Sequence, residues 1–139
     1  MNDADFLLAF ENCTLPFAEW KHRAHVKVAY LYLRQFPLEQ ALEKIRGGIR
    51  RYNVATNTPE TLDRGYHETI TQAWTRLIHF TLCEQGAAAT AQEFFEQNPQ
   101  LTNKGALLLF YSRERITSWR AKVEFVEPDL MPFPKMPKS

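Results

Sequence analysis

The sequence is short of cysteine, of glycine and of charge of one sign, and each shortage removes a class of explanation. Cys13 and Cys83 are the only 2 cysteines among 139 residues. They are too few and too far apart for a disulfide scaffold or a zinc ribbon, and both read as buried thiols. With 17 basic and 16 acidic side chains the formal charge is +1, which gives no general electrostatic case for nucleic acid or an anionic membrane. No apolar run approaches the ~18 residues that a membrane span requires. Met1 to Asp5 is acidic where a signal peptide is basic, so the expected setting is the cytoplasm. No strand-length run alternates between hairpin turns and no internal repeat recurs. Gly47-Gly48-Ile49-Arg50-Arg51 lacks the spacing of a phosphate loop.

What remains is a globular composition, 45% hydrophobic and 24% charged, in a chain of single-domain length. Its apolar residues recur with a helical period. From Trp20 to Arg34, the residues His22, His25, Val26, Ala29, Tyr32 and Leu33 share one face, with Arg23, Lys27 and Arg34 pointing away. A second period runs from Leu38 through Ala41, Leu42, Ile45 and Ile49 to Tyr52, continuing across Gly47-Gly48. A third follows Gly65, with Tyr66, Ile70, Ala73, Trp74 and Leu77 on its packed side. Asp3 or Asp5 is placed to cap an opening helix, and Thr90 with Glu93 has capping-box spacing. Shorter helices are expected over 106–111 and 118–125. The expected fold is therefore all-α: a compact multi-helix bundle over residues 1–127, with an irregular proline-rich tail over 128–139 that uses Leu130, Met131 and Phe133 as docking groups.

Candidate chemistry centres on imidazoles. His22 and His25, three positions apart, aim at the inward face of one helix, and His67 at the start of another is placed to join them. Three imidazoles make a nitrogen-rich site for zinc, iron, nickel or copper. The helix-start position disfavours an imidazolium at His67, which suits a neutral ligand. Glu68 is the candidate carboxylate for ligation or proton transfer, with Glu11 and Asp63 as alternatives if their loops turn inward. Trp20, Tyr52 and Trp74 are expected to shape an apolar pocket, and Arg113 to hold a carboxylate or phosphate. Ser112 has no visible histidine-and-acid relay, which places a serine hydrolase below a metal site.

The segments Leu15-Pro16-Phe17-Ala18-Glu19-Trp20-Lys21-His22-Arg23-Ala24-His25, Tyr52-Asn53 and Gly65-Tyr66-His67-Glu68-Thr69-Ile70-Thr71 give the chain a family likeness. Together with Tyr111 to Arg115 and Glu127 to Leu130, they resemble a family of small, mainly bacterial, uncharacterised helical proteins. The resemblance spans most of the chain and implies no particular reaction. The expected function is thus a metal-dependent enzyme acting on a small molecule, hydrolytic or oxidative. The alternative is a non-enzymatic helical interaction or regulatory protein whose histidines are structural.

Overall fold

Local chemistry sets most helix boundaries. The computed structural model describes residues 1–135, and the expectation for 136–139 lies outside the described residues. Helix α1 (Asp3–Glu11) is capped by the side chain of Asn2, which accepts from the Asp5 amide at 2.8 Å; Asn2, rather than either aspartate, is the cap. Helix α2 (His22–Leu33) follows a single 3₁₀ turn, Phe17–Glu19. Helix α3 (Leu38–Ala55) runs without a break through Gly47-Gly48. Helix α4 (Glu68–Gln85) starts later than its apolar period suggested, because His67 is its cap rather than part of its first turn.

Beyond α4 the elements shorten. Thr90 caps α5 (Ala91–Gln97) by accepting from the Glu93 amide, and two 3₁₀ segments, Pro99–Thr102 and Lys104–Leu109, follow. Ser112 and Ser118 cap the single turns α6 (Arg113–Ile116) and α7 (Trp119–Val123). The result is a compact all-α bundle without a β-strand among the described residues. No helix among them is long and apolar enough to cross a membrane.

Helix α2 lies at the centre of the bundle, packed chiefly against α3 and α4, and α7 packs on α4. Burial of Val26, Val28, Ala29, Tyr30, Leu31 and Tyr32 leaves α2 little solvent-facing surface in its second half, the pattern of a core helix rather than a one-sided surface helix. Gly48 makes the α1–α3 approach possible. A Cβ there would fall 2.5 Å from Phe10 Cε2, closer than non-bonded carbons pack.

The segment between α3 and α4 is tied down by a buried lysine. From α7, Lys122 Nζ donates to the Tyr66 carbonyl at 2.6 Å, the Arg64 carbonyl at 2.9 Å and the Glu60 carboxylate at 3.3 Å. The Glu60 carboxylate also accepts from the Tyr66 amide. Gly65 turns the chain between them at φ +92°, where a side chain would run into that carboxylate.

The described part of the tail docks through its backbone, one carboxylate and one ring. The Leu130 amide donates to the Phe110 carbonyl at 2.9 Å, and Asp129 accepts from both the amide and the hydroxyl of Ser112. Phe133 packs against Phe110 and Tyr111, whereas the Leu130 and Met131 side chains stay exposed. Cys83 is exposed as well, so the expectation of two buried thiols fails there; Cys13 is half-buried.

Candidate functional site

A cavity of about 810 Å³ opens between α2, α3, α4 and the segment from Asn103 to Ile116. Val26 and Ala29 of α2, Ile45 and Ile49 of α3, and Ile70 and Trp74 of α4 supply apolar wall. His22 and His25 bring imidazoles into it, and Asp63, Lys104 and Arg113 bring charges. A smaller cavity of about 300 Å³ adjoins, lined by Trp20, Asn53, Arg64, His67 and others. His25, Ile49, Ile70 and Thr71 line both cavities, so His25 stands in the wall between them.

The three histidines differ in which ring nitrogens remain open. His67 uses both: Nδ1 accepts from the Ile70 amide at 3.0 Å, which caps α4, and Nε2–H donates to the Ile116 carbonyl at 2.9 Å. Those partners fix its tautomer and leave it no lone pair for a metal. His22 donates from Nε2 to the Leu101 carbonyl at 3.0 Å and lies 4.6 Å from the Trp74 ring, leaving Nδ1 unprotonated. His25 has the opposite tautomer. Its Nδ1–H donates to the Lys21 carbonyl at 2.9 Å, so Nε2 carries the lone pair, and among the described residues that nitrogen has no protein partner.

All three imidazoles are held neutral, primarily by burial. The backbone hydrogen bond of His25 opposes this, but burial prevails and brings its pKa down to about 4. Burial likewise lowers His22, partly offset by its bond to Leu101 and reinforced by the charge of Lys104. His67 is lowered by the same dominant cause. Trp20 covers one face of the His25 ring, with centroids 4.0 Å apart, and stacks in turn on Phe10.

These placements revise the expected metal centre. Among the described residues no group of three or more His, Cys, Asp or Glu side chains is disposed to hold a metal ion. A common centre of His22, His25 and His67 is not assembled, because capping α4 consumes the His67 lone pair. Glu68 is engaged elsewhere too. Its carboxylate accepts from Arg46 Nε and Nη2 at 2.8 and 2.7 Å, from the Tyr66 hydroxyl at 2.7 Å and from Gln72 at 2.6 Å. Burial pushes the Glu68 carboxyl up, but the bonds from Arg46, Gln72 and Tyr66 and the Arg46 charge outweigh it and hold the pKa at about 2. A carboxylate so stabilised is a poor proton carrier, and it lines neither of these two cavities.

The expected pocket contacts divide. Trp74 and Arg113 border the larger cavity and Trp20 the smaller. Tyr52 is fully buried and its hydroxyl donates to the Leu15 carbonyl at 2.7 Å, so it braces the segment before α2 instead of meeting a ligand. Glu11 accepts from Tyr32 at 2.7 Å and borders a separate polar cavity with Glu43, Lys44 and Arg51. Lys104 gave no signal in the sequence, being a lone basic residue in an irregular stretch. Arg46 was equally silent as the partner of Glu68.

Compared with known proteins, the chain matches no family model, no curated protein and no solved structure.

Proposed function

We propose that the chain is an enzyme acting on a small molecule held in the larger cavity, with His25 Nε2 as the group that meets the reacting or orienting hydrogen of the substrate. The observation that carries this reading is the open Nε2 of an otherwise fixed, neutral imidazole in a cavity wall. The cavity volume of about 810 Å³ lies within the range of small-molecule sites, which are mostly apolar with a few fixed polar groups. An imidazole of such low basicity accepts a hydrogen bond at neutral pH, and takes up the proton only as negative charge builds beside it. Unpaired thiols at Cys13 and Cys83 support a cytoplasmic setting.

A metal-assisted form is the second reading, favoured by one observation: His22 and His25 line the same cavity, and each keeps one ring nitrogen lone pair uncommitted among the described residues. They would supply two ligands to zinc, iron, nickel or copper, with water or substrate completing the set. His67 is not part of this version.

The test is a ligand-observed NMR screen of small molecules against tag-free protein, followed by metal analysis of the same sample. Hits should shift the Trp74 indole and His25 ring signals, and should weaken in a folded His25→Gln variant. Retained metal that is lost in both His22→Gln and His25→Gln selects the metal-assisted form. An absence of hits at the cavity would reject the small-molecule reading and leave the interaction-protein alternative ahead.

A further inference from the structure

Among the described residues, two cations stand at the larger cavity without a protein partner. Lys104 comes from a 3₁₀ segment and Arg113 from the first turn of α6, and both residues line the cavity. Among the described residues neither side chain makes a hydrogen bond or an ion pair. Other cations of this region are committed: Arg115 to the Glu127 carbonyl, Arg120 to Glu124, and Lys122 to Glu60 and two carbonyls. Asp63 is the one carboxylate among the described lining residues, and Thr61 already donates to it at 2.9 Å. With the imidazoles neutral, the lining carries two positive charges against one negative.

The remainder of the cavity limits what such an anion can be. Its wall is largely apolar, from Val26 and Ile49 to Trp74 and Leu107, which a bare inorganic ion would leave uncovered. At the histidine end the open nitrogens, His22 Nδ1 and His25 Nε2, are acceptors only. A ligand that satisfies them carries a hydrogen-bond donor there.

Building on the cavity reading above, we propose that the ligand is an amphipathic organic anion. Its carboxylate or phosphate is held by Lys104 and Arg113, its apolar body lies along Trp74 and Leu107, and its hydroxyl or N–H group donates to one of the two open nitrogens, His25 Nε2 or His22 Nδ1. Arg113 supplies a planar fork and Lys104 a point charge, so either headgroup geometry is accommodated.

Matched probes separate this proposal from the reading beneath it. The full chain is titrated with hydroxyaryl acetates, the corresponding amides, the corresponding phosphonates and inorganic phosphate, following Trp74 and histidine signals by NMR. Acids should bind about tenfold more tightly than their amides, the scale of one charge-assisted contact at an open site. A Lys104→Gln/Arg113→Gln double variant should lose that preference while still binding the amides, since both residues are exposed and support no packing. Acetate against phosphonate assigns the headgroup. Acids and amides binding equally, a preference that survives in the double variant, or inorganic phosphate binding as well as the organic acids would each overturn the proposal with the cavity reading intact. If no probe shifts the cavity signals, the cavity reading itself fails and this proposal with it.

Discussion

Replacing Glu68 by glutamine tests whether this residue builds the fold or the chemistry. A carboxyl displaced from its ordinary 4.5 to about 2 corresponds to an upper bound of ~3 kcal/mol of native-state stabilisation. The amide keeps one acceptor for Arg46, and the Arg46 side chain is 29% exposed and able to recover water, so the expected loss at pH 7 is about 2 kcal/mol. Because the folded pKa lies below the unfolded one, the stabilisation is complete above about pH 4.5 and drains away as pH falls toward 2. Urea unfolding of wild type and Glu68→Gln should therefore differ by about 2 kcal/mol at pH 7, with the gap closing on acidification. The wild-type profile also contains His25, whose folded pKa of about 4 lies below the ordinary 6.5, so the unfolded chain takes up this proton first and stability falls as pH drops from 6.5 to about 4; the difference between the two proteins removes it. Cavity ligands should bind the folded variant as they bind wild type. A gap that does not change with pH, or a folded variant that no longer binds cavity ligands, would refute the assignment of Glu68 to the fold.

Two further substitutions probe the scaffold around the site. His67→Ala removes both the cap of α4 and the bond to the Ile116 carbonyl and should cost roughly 1–3 kcal/mol in chemical denaturation; His67→Asn, which keeps a capping acceptor, should recover part of that. An alanine variant as stable as wild type would contradict the capping role. Gly48→Ala should lose about 1–3 kcal/mol through the clash with Phe10, visible as a lower thermal midpoint. Unchanged stability would show that the α1–α3 contact is looser than described.

The long helices were legible because their periods extend over several turns. The run from Leu38 to Tyr52 persists through two glycines, and the structure explains the second of them: Gly48 admits the Phe10 ring. Capping signals worked at Thr90, and Asn98-Pro99 ended α5 as its residue types suggest. Helical spacing put His22 and His25 on one inward face, and both line the larger cavity, whereas His67 caps α4. Helical phase put that ring on an inward shoulder, but a residue one position before the helix uses its side chain on the backbone. Glu68 shows the same limit. Its partners Arg46, Tyr66 and Gln72 come from a neighbouring helix as well as from nearby sequence, and no spacing rule links Arg46 to it. Single-turn elements such as α6 are too short to show a period, so the arrival of Lys104 and Arg113 at one cavity was not readable from the chain.

The central claim is that His25 is a neutral imidazole with its Nε2 open to the cavity, and long-range ¹H–¹⁵N correlation of the histidine rings across a pH titration measures this directly. His25 should show the Nδ1–H tautomer and remain unprotonated until about pH 4, while His22 and His67 show the Nε2–H tautomer. A His25 ring found as the Nε2–H tautomer, or one that titrates at the ordinary 6.5, would contradict the account.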